Sequence, residues 1–151
     1  GGRESHETEL FPFIEARYPS DPEHRVISGA SFGGSFALYA LLEKPELFYG
    51  YLAITPGLRW DDQWLPKRQR EHRKTHPTLN ERLFIALGED EEPEVVRIGR
   101  AFMKQLEDSR YKEFSLRTRV IEGERHAAVK NEAYNRGLRY VLAPLAPKPS
   151  K

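Results

Sequence analysis

The sequence contains no cysteine among its 151 residues. That absence excludes disulfide bonds, thiol nucleophiles and metal sites with cysteine ligands. It fits a reducing compartment, and we expect a cytoplasmic protein. No apolar run approaches the roughly 20 residues that span a bilayer, and no N-terminal segment has the pattern of a signal peptide.

The sequence also lacks an excess of either charge, because 24 Lys and Arg face 23 Asp and Glu for a net charge of +1. This balance gives no general attraction to nucleic acid or to an anionic membrane, so we predict neither as a partner. Hydrophobic residues make up 38% of the chain. A chain of this length and composition can bury the core of one domain.

Strand patterns alternate with helical patterns, which predicts an α/β fold with a parallel sheet covered on both faces by helices. Residues 58–80 are predicted to be irregular or weakly helical. We assign residues 1–145 to one domain and expect the Pro/Lys-rich residues 146–151 to form a disordered tail. The predicted strands are 25–29, 50–55, 82–88 and 114–121, the last near an edge, and the predicted helices are 5–18, 36–44, 94–109 and 127–142.

Between the first predicted strand and the second predicted helix stands a G-x-S-x-G motif, Gly29-Ala30-Ser31-Phe32-Gly33. A strand–turn–helix context makes this motif a nucleophile elbow, in which a sharp turn projects the serine hydroxyl above the sheet. Glycines on either side leave room where strand and helix cross closely. The pattern predicts Ser31 as a nucleophile and the Phe32 N–H, at the helix N-terminus, as an oxyanion donor.

A nucleophilic serine needs a base and an acid, which follow it in the order acid then histidine in elbow-type hydrolases. His126 follows the fourth predicted strand and is our candidate base. The other histidines precede the serine or lie in the polar middle of the chain. Four carboxylates follow the third strand, and most must be solvated; we rank Glu91 first as the acid that orients the imidazole and Asp90 second.

Four stretches resemble one known family. They are RVISGASFGG (25–34) with its following helix, AITPGLRWDD (53–62), LGEDEEPE (87–94) and GERHAAV (123–129). They resemble the elbow, the S-P-S-L-W-W-D segment, the acidic turn and the histidine loop of the "Putative esterase" family. This family includes the ferric-siderophore (enterochelin-type) esterases and relatives of esterase D. Thr55, Gly57 and Ala128 depart from the usual serines without removing a triad member.

The resemblance implies an α/β-hydrolase fold and a serine esterase that cleaves small-molecule carboxylic esters, including siderophore-type esters. It implies an acyl-enzyme on Ser31 and no metal or organic cofactor. In the second stretch, Arg59 and Trp60 are candidate substrate-binding residues, although Trp60 and Trp64 could equally pack in the core or a lid. A basic cluster within 67–74 is either a solvated helix face or a cationic rim of the site.

Members of this family carry several strands before the region that matches the start of this chain. The sequence therefore resembles a hydrolase truncated at the N-terminus, the C-terminal portion of a longer fold. Loss of a second oxyanion donor costs about 10²–10³ in rate, so we expect the chain alone to be a weak or inactive enzyme. Two alternatives stay open: an acyltransferase of the same fold, and an inactive hydrolase domain that serves as a binding module.

Overall fold

The computed structural model describes residues 14–18, 21–122 and 126–145. Its regular elements alternate between strands and helices after an initial pair of strands. In chain order they are β1 (Ile14–Tyr18), β2 (Asp21–Ala30), α1 (Phe32–Glu43), β3 (Gly50–Ile54), α2 (Trp60–Thr75), β4 (Arg82–Gly88), α3 (Pro93–Ser109), β5 (Ser115–Ile121) and α4 (His126–Leu142), with short 3₁₀ turns at Pro45–Leu47 and Ala143–Leu145.

The five strands form one sheet in the order β1-β2-β3-β4-β5. β2 to β5 run parallel, whereas β1 pairs antiparallel with β2. Ala30 pairs with Ile54, which in turn pairs with Ala86. Because the parallel strands all run towards the same edge, the loops that follow them meet at one carboxyl edge, where α/β folds place their ligand and active sites.

Helices cover both faces of the sheet, as the sequence predicts. Side chains alternate between the faces along each strand. Ile27, Tyr51 and Ile85 belong to the cluster formed with α1, α2 and α3, whereas Leu52 and Phe84 belong to the cluster formed with α4. The central strands β3 and β4 are almost fully buried, as expected where helices cover both faces, whereas most of β5 at the sheet edge is half-buried or exposed.

The predicted helix over residues 5–18 is wrong for residues 14–18, which form β1. Residues 5–13 and the predicted tail at 146–151 lie outside the described residues. Ile14 and Tyr18 fit a helical period, but this stretch hydrogen-bonds along β2 from Ile14–Ser28 to Tyr18–Asp21. Pairing at the edge of β2 therefore outweighs a short apolar period with a proline nearby. β2 is longer at both ends than its apolar core, residues 25–29, predicts.

The middle segment, predicted as irregular or weakly helical, contains the 16-residue helix α2. Asp61, Asp62 and Gln63 have positive φ values of 49°, 53° and 58°, so right-handed helix resumes only near Trp64. Pro66 then lies in the first turn of the regular helix, where its missing N–H costs little. Among the described residues, no helix is long and apolar enough to span a membrane.

Candidate active site

Ser31 occupies the turn between β2 and α1 in an uncommon backbone conformation. Its φ is 55° and its ψ is −116°, and its side chain does not cap the helix that it precedes. A positive φ in a residue other than glycine costs about 1–3 kcal/mol and persists only where the surroundings impose it. The strained turn that the G-x-S-x-G motif predicts is therefore present at Ser31.

Hydrogen bonds from several directions hold the Ser31 backbone in this conformation. Its N–H donates to the Ile54 carbonyl at 3.0 Å, and its own carbonyl accepts the N–H groups of Ser35 and Gly57, each at 3.1 Å. The Ser35 hydroxyl lies 3.3 Å from the same carbonyl and donates to the Gly57 carbonyl at 2.8 Å. The elbow is thus tied to both its own helix and the loop after β3.

Two glycines allow strand and helix to cross at this point. A Cβ atom on Gly29 would lie 2.2 Å from the backbone carbon and oxygen of Gly33. A Cβ atom on Gly34 would lie 3.1 Å from the carbonyl oxygens of Gly29 and Ile54. Backbone atoms cannot move aside as a side-chain tip can, so a larger residue at 29 would displace the elbow.

Phe32 is the first residue of α1, and its side chain is 56% exposed. Backbone N–H groups in a first helical turn point out of the helix end, and the helix dipole adds partial positive charge there. The position of Phe32 beside Ser31 is therefore compatible with its predicted oxyanion role.

Burial distinguishes the four carboxylates of the acidic turn after β4. Glu91 is buried at 8% exposure, and its Oε2 accepts the Gly88 N–H at 2.8 Å. Glu89, Asp90 and Glu92 are exposed. Glu91 folds back onto the carboxyl end of β4, whereas Asp90 faces solvent. The choice between them as the acid remains a prediction, and the burial favours Glu91.

His126 is the first residue of α4, five residues beyond the end of β5. It therefore follows the same carboxyl edge as Ser31 and Glu91. Its side chain and residues 123–125 lie outside the described part of the chain. The role of His126 as the base thus remains a prediction supported by its position in the topology.

Arg59 and Trp60 lie on the loop and helix start that follow β3, also at the carboxyl edge. Arg59 faces Glu92 across the edge through two contacts of 3.4 Å, and both side chains are more than half exposed. Trp60 is 41% exposed and meets Trp64 edge to face. A cation and an aromatic ring are thus accessible here, and their role in substrate binding stays a prediction.

The basic cluster of α2 has partners on neighbouring elements, and these partners favour a helix face with a packing role. Arg68 pairs with Glu43 at 3.1 Å, Arg70 donates to Gln105 at 2.7 Å, and Arg73 donates to the Ser109 carbonyl at 2.7 Å. These contacts tie α2 to α1 and α3 rather than to the loops around Ser31.

A buried polar network lies beneath this face. Two of its residues belong to the polar middle of the chain, which the sequence predicts to be irregular or weakly helical. Gln69 Nε2 lies 3.0 Å from the Tyr111 hydroxyl, and His72 Nδ1 lies 2.9 Å from the same oxygen. Burial lowers the pKa of His72 to about 4, helped by His76 and Arg68. No local signal marks these residues as buried, since their partners are about 40 positions away.

Ser35 is a second residue whose role the sequence analysis missed. The motif explains it only as a small residue, yet its hydroxyl joins the Ser31 and Gly57 carbonyls. Its spacing of four residues from Ser31 on a helix is the available signal, because serine hydroxyls commonly bond the carbonyl one turn earlier. Among the described residues, no group of three or more His, Asp or Glu side chains could hold a metal ion.

The family model described as "Putative esterase" matches residues 3–136. The chain belongs to this family. Ferri-bacillibactin esterase BesA of Bacillus subtilis is 31% identical over 150 residues, which cover 93% of this chain and 50% of that protein. Siderophore enterobactin esterase of Emericella nidulans is 41% identical over 54 residues, 34% of this chain and 18% of that protein. The chain thus spans at most about half the length of these relatives.

Solved structures show the same fold. An IroE-like serine hydrolase from Shewanella oneidensis aligns with a TM-score of 0.74 at 23% identity, over 82% of this chain and 41% of that one. The enterobactin esterase FES from Shigella flexneri, solved in the presence of enterobactin, aligns with a TM-score of 0.70 at 25% identity, over 85% of this chain and 33% of that one. The parallel sheet with flanking helices is of the α/β-hydrolase type. Within the family, the chain resembles siderophore esterases.

Proposed function

We propose that this chain carries the catalytic site of a serine esterase that cleaves carboxylic esters through an acyl-enzyme on Ser31. The observation that carries the proposal is the strained Ser31 backbone, held by four hydrogen bonds at the N-terminus of α1. Such strain lowers the stability of the fold, and a turn that only connected two elements would not need it. In a nucleophile elbow it presents the hydroxyl to a substrate carbonyl.

The other catalytic roles belong to residues that follow strands at the same carboxyl edge. Ser31 Oγ attacks the ester carbonyl while the His126 imidazole takes the hydroxyl proton and later passes it to the leaving alcohol. The Glu91 carboxylate orients the imidazole and stabilises its charged form, and the Phe32 N–H donates to the oxyanion. Water then attacks the acyl-enzyme with His126 again as base, which returns free Ser31 and releases the acid.

The substrate class that we favour is an ester of a siderophore. Relatives named ferri-bacillibactin esterase and siderophore enterobactin esterase support it, as do the exposed guanidinium of Arg59 and the exposed ring of Trp60 at the edge. An anionic, aromatic acyl group would meet a cation and an aromatic face there.

The test is hydrolysis of a nitrophenyl ester and of a catecholate siderophore ester by the purified 151-residue chain. We expect slow turnover that Ser31→Ala removes and that Ser115→Ala, at the opposite end of the sheet, retains. Turnover that requires an added alcohol acceptor would indicate an acyltransferase. Folded protein that turns over neither ester and is not labelled by a fluorophosphonate would indicate a binding module and contradict the proposal.

A further inference from the structure

Thr55, directly after β3, combines two costly features that the proposed mechanism does not use. Its φ is 40°, which is rare for a β-branched residue. It is 3% exposed, and its buried Oγ1 has no hydrogen-bond partner in the part of the chain that the structure describes. A hydroxyl removed from water without a partner destabilises a fold, and a Val of the same shape would avoid that cost.

The backbone around Thr55 fixes its place between the ends of β2 and β4. Ser31 N–H donates to the Ile54 carbonyl at 3.0 Å, and Thr55 N–H donates to the Ala86 carbonyl at 2.7 Å. Farther along the edge, Glu89 N–H donates to the Ile121 carbonyl at 2.9 Å. Each loop is thereby tied to the next strand, and the order across the edge is Ser31, Thr55, then the turn that holds Glu91.

The position of Thr55 between Ser31 and Glu91 matters for catalysis only if the proposed function is correct. Neighbouring strands lie about 4.8 Å apart, so Ala30 of β2 and Ala86 of β4, both in register with Ile54, are about 10 Å apart. An imidazole that met both the Ser31 hydroxyl and the Glu91 carboxylate would lie near the end of β3, the strand between them, which Thr55 follows directly. The orphaned hydroxyl thus belongs to the residue that follows the middle one of these three strands.

We propose that Thr55 is a positioning residue whose hydroxyl oxygen supports the imidazole of the catalytic base. When the ring takes the Ser31 proton, the oxygen lone pairs face a positive charge and stabilise it in a buried setting. A neutral ring gains less from the same contact. The hydroxyl therefore acts mainly in the transition state, which explains why it is kept at a cost to the resting fold.

A purely structural role makes a different prediction. If Thr55 only fills space under the edge, Val fills the same volume and removes the unsatisfied oxygen, so stability and activity rise or stay together. If the hydroxyl supports the base, removing the hydroxyl changes activity but not stability, because kcat falls while the protein stays folded. Thr55→Ser keeps the oxygen and loses one methyl group, which makes it the matched variant.

The experiment measures kcat and KM for nitrophenyl acetate and the free energy of unfolding in urea for wild type, Thr55→Val and Thr55→Ser. We expect Thr55→Val to be at least as stable as wild type, with kcat lowered about tenfold and KM within about twofold. Thr55→Ser should keep kcat within about threefold.

An unchanged kcat in a folded Thr55→Val protein would overturn the inference, as would an equal loss of kcat in Thr55→Ser. A Ser31→Ala control run beside these variants separates this failure from failure of the proposed function. If Ser31→Ala hydrolyses the ester as fast as wild type, the proposed function fails whatever the Thr55 variants do.

Discussion

Two buried polar regions of this protein differ in how completely their polar groups are satisfied. Where α2 packs against α3 and the loop after it, Gln69 and His72 both meet the Tyr111 hydroxyl at about 3 Å, and none of these three residues has a positive φ. At the carboxyl edge, Ser31 and Thr55 have positive φ, and Thr55 Oγ1 has no partner among the described residues.

The difference shows which of the two regions contains features that lower the stability of the fold. A satisfied buried network adds rigidity and specifies how helices pack. Strain and an unsatisfied hydroxyl add nothing to stability and tend to cluster where chemistry requires them. The buried His72 is thus a structural residue, and the strained edge is the candidate site.

The largest effect should come from the buried carboxylate of the edge. Glu91→Gln keeps the size of the side chain but removes the charge that orients and stabilises the imidazolium. We expect the rate of fluorophosphonate labelling to fall about 10²–10⁴-fold, with little change in the unfolding midpoint.

Asp90→Asn is the matched change one residue earlier, on an exposed side chain. It should alter the labelling rate less than about threefold. The reverse pattern, with Asp90→Asn slow and Glu91→Gln fast, would assign the acid to Asp90 and contradict the role inferred from burial.

The next effect concerns the crossing of β2 and α1. In Gly29→Ala the new Cβ would lie 2.2 Å from backbone atoms of Gly33, so the elbow must shift. We expect a loss of about 3 kcal/mol in the free energy of unfolding and strongly reduced labelling.

Gly99→Ala in α3 is the matched control, because its Cβ would also meet an atom at 2.2 Å, but that atom is the flexible tip of Leu87. Rotation of Leu87 and the better helix propensity of Ala should leave its stability within about 1 kcal/mol of wild type. Equal destabilisation of the two variants, measured by urea unfolding, would show that the elbow is no tighter than an ordinary helix contact.

The smallest effect tests the structural region. Burial lowers the pKa of His72 from 6.5 to about 4 in the folded state. Between these values the unfolded chain binds a proton that the folded chain does not, so stability is lost as pH falls from 6.5 towards 4. In urea unfolding, wild type should lose about 2 kcal/mol more between pH 7 and pH 4.5 than His72→Asn does.

Labelling of folded His72→Asn at pH 7 should match wild type, since the residue lies in the α2–α3 contact. The same pH-dependent loss in both proteins would mean that His72 is not held neutral by burial. A strong loss of labelling would instead couple the two regions and remove the contrast between them.

Most of the fold could be predicted because its signals are local. The buried parallel strands are short apolar runs, and Pro45 and Pro93 mark the end of α1 and the start of α3 within a residue or two. β1 was predicted as helix, because Ile14 and Tyr18 fit a helical period and its pairing with the neighbouring strand β2 is not visible in that pattern. α2 was underestimated because its buried polar residues depend on partners in α3 and beyond.

Some features of the candidate site could likewise be predicted from local sequence, and others could not. The G-x-S-x-G motif predicts the strained Ser31 and the close glycines, since both are consequences of one tight turn. The sequence ranks Glu91 first among four neighbouring carboxylates, and the burial of Glu91, which depends on tertiary packing, supports that ranking. The support from Ser35 and the orphaned hydroxyl of Thr55 appear only when β2, β3 and β4 are brought together.

The most direct test of the account is the site of covalent labelling. The folded 151-residue chain is treated with a fluorophosphonate, digested and mapped by mass spectrometry, beside Ser31→Ala and Ser115→Ala. The account predicts a single adduct on Ser31 that is absent from Ser31→Ala and present in Ser115→Ala. A folded wild-type chain that stays unlabelled, or an adduct on any other serine, would contradict it.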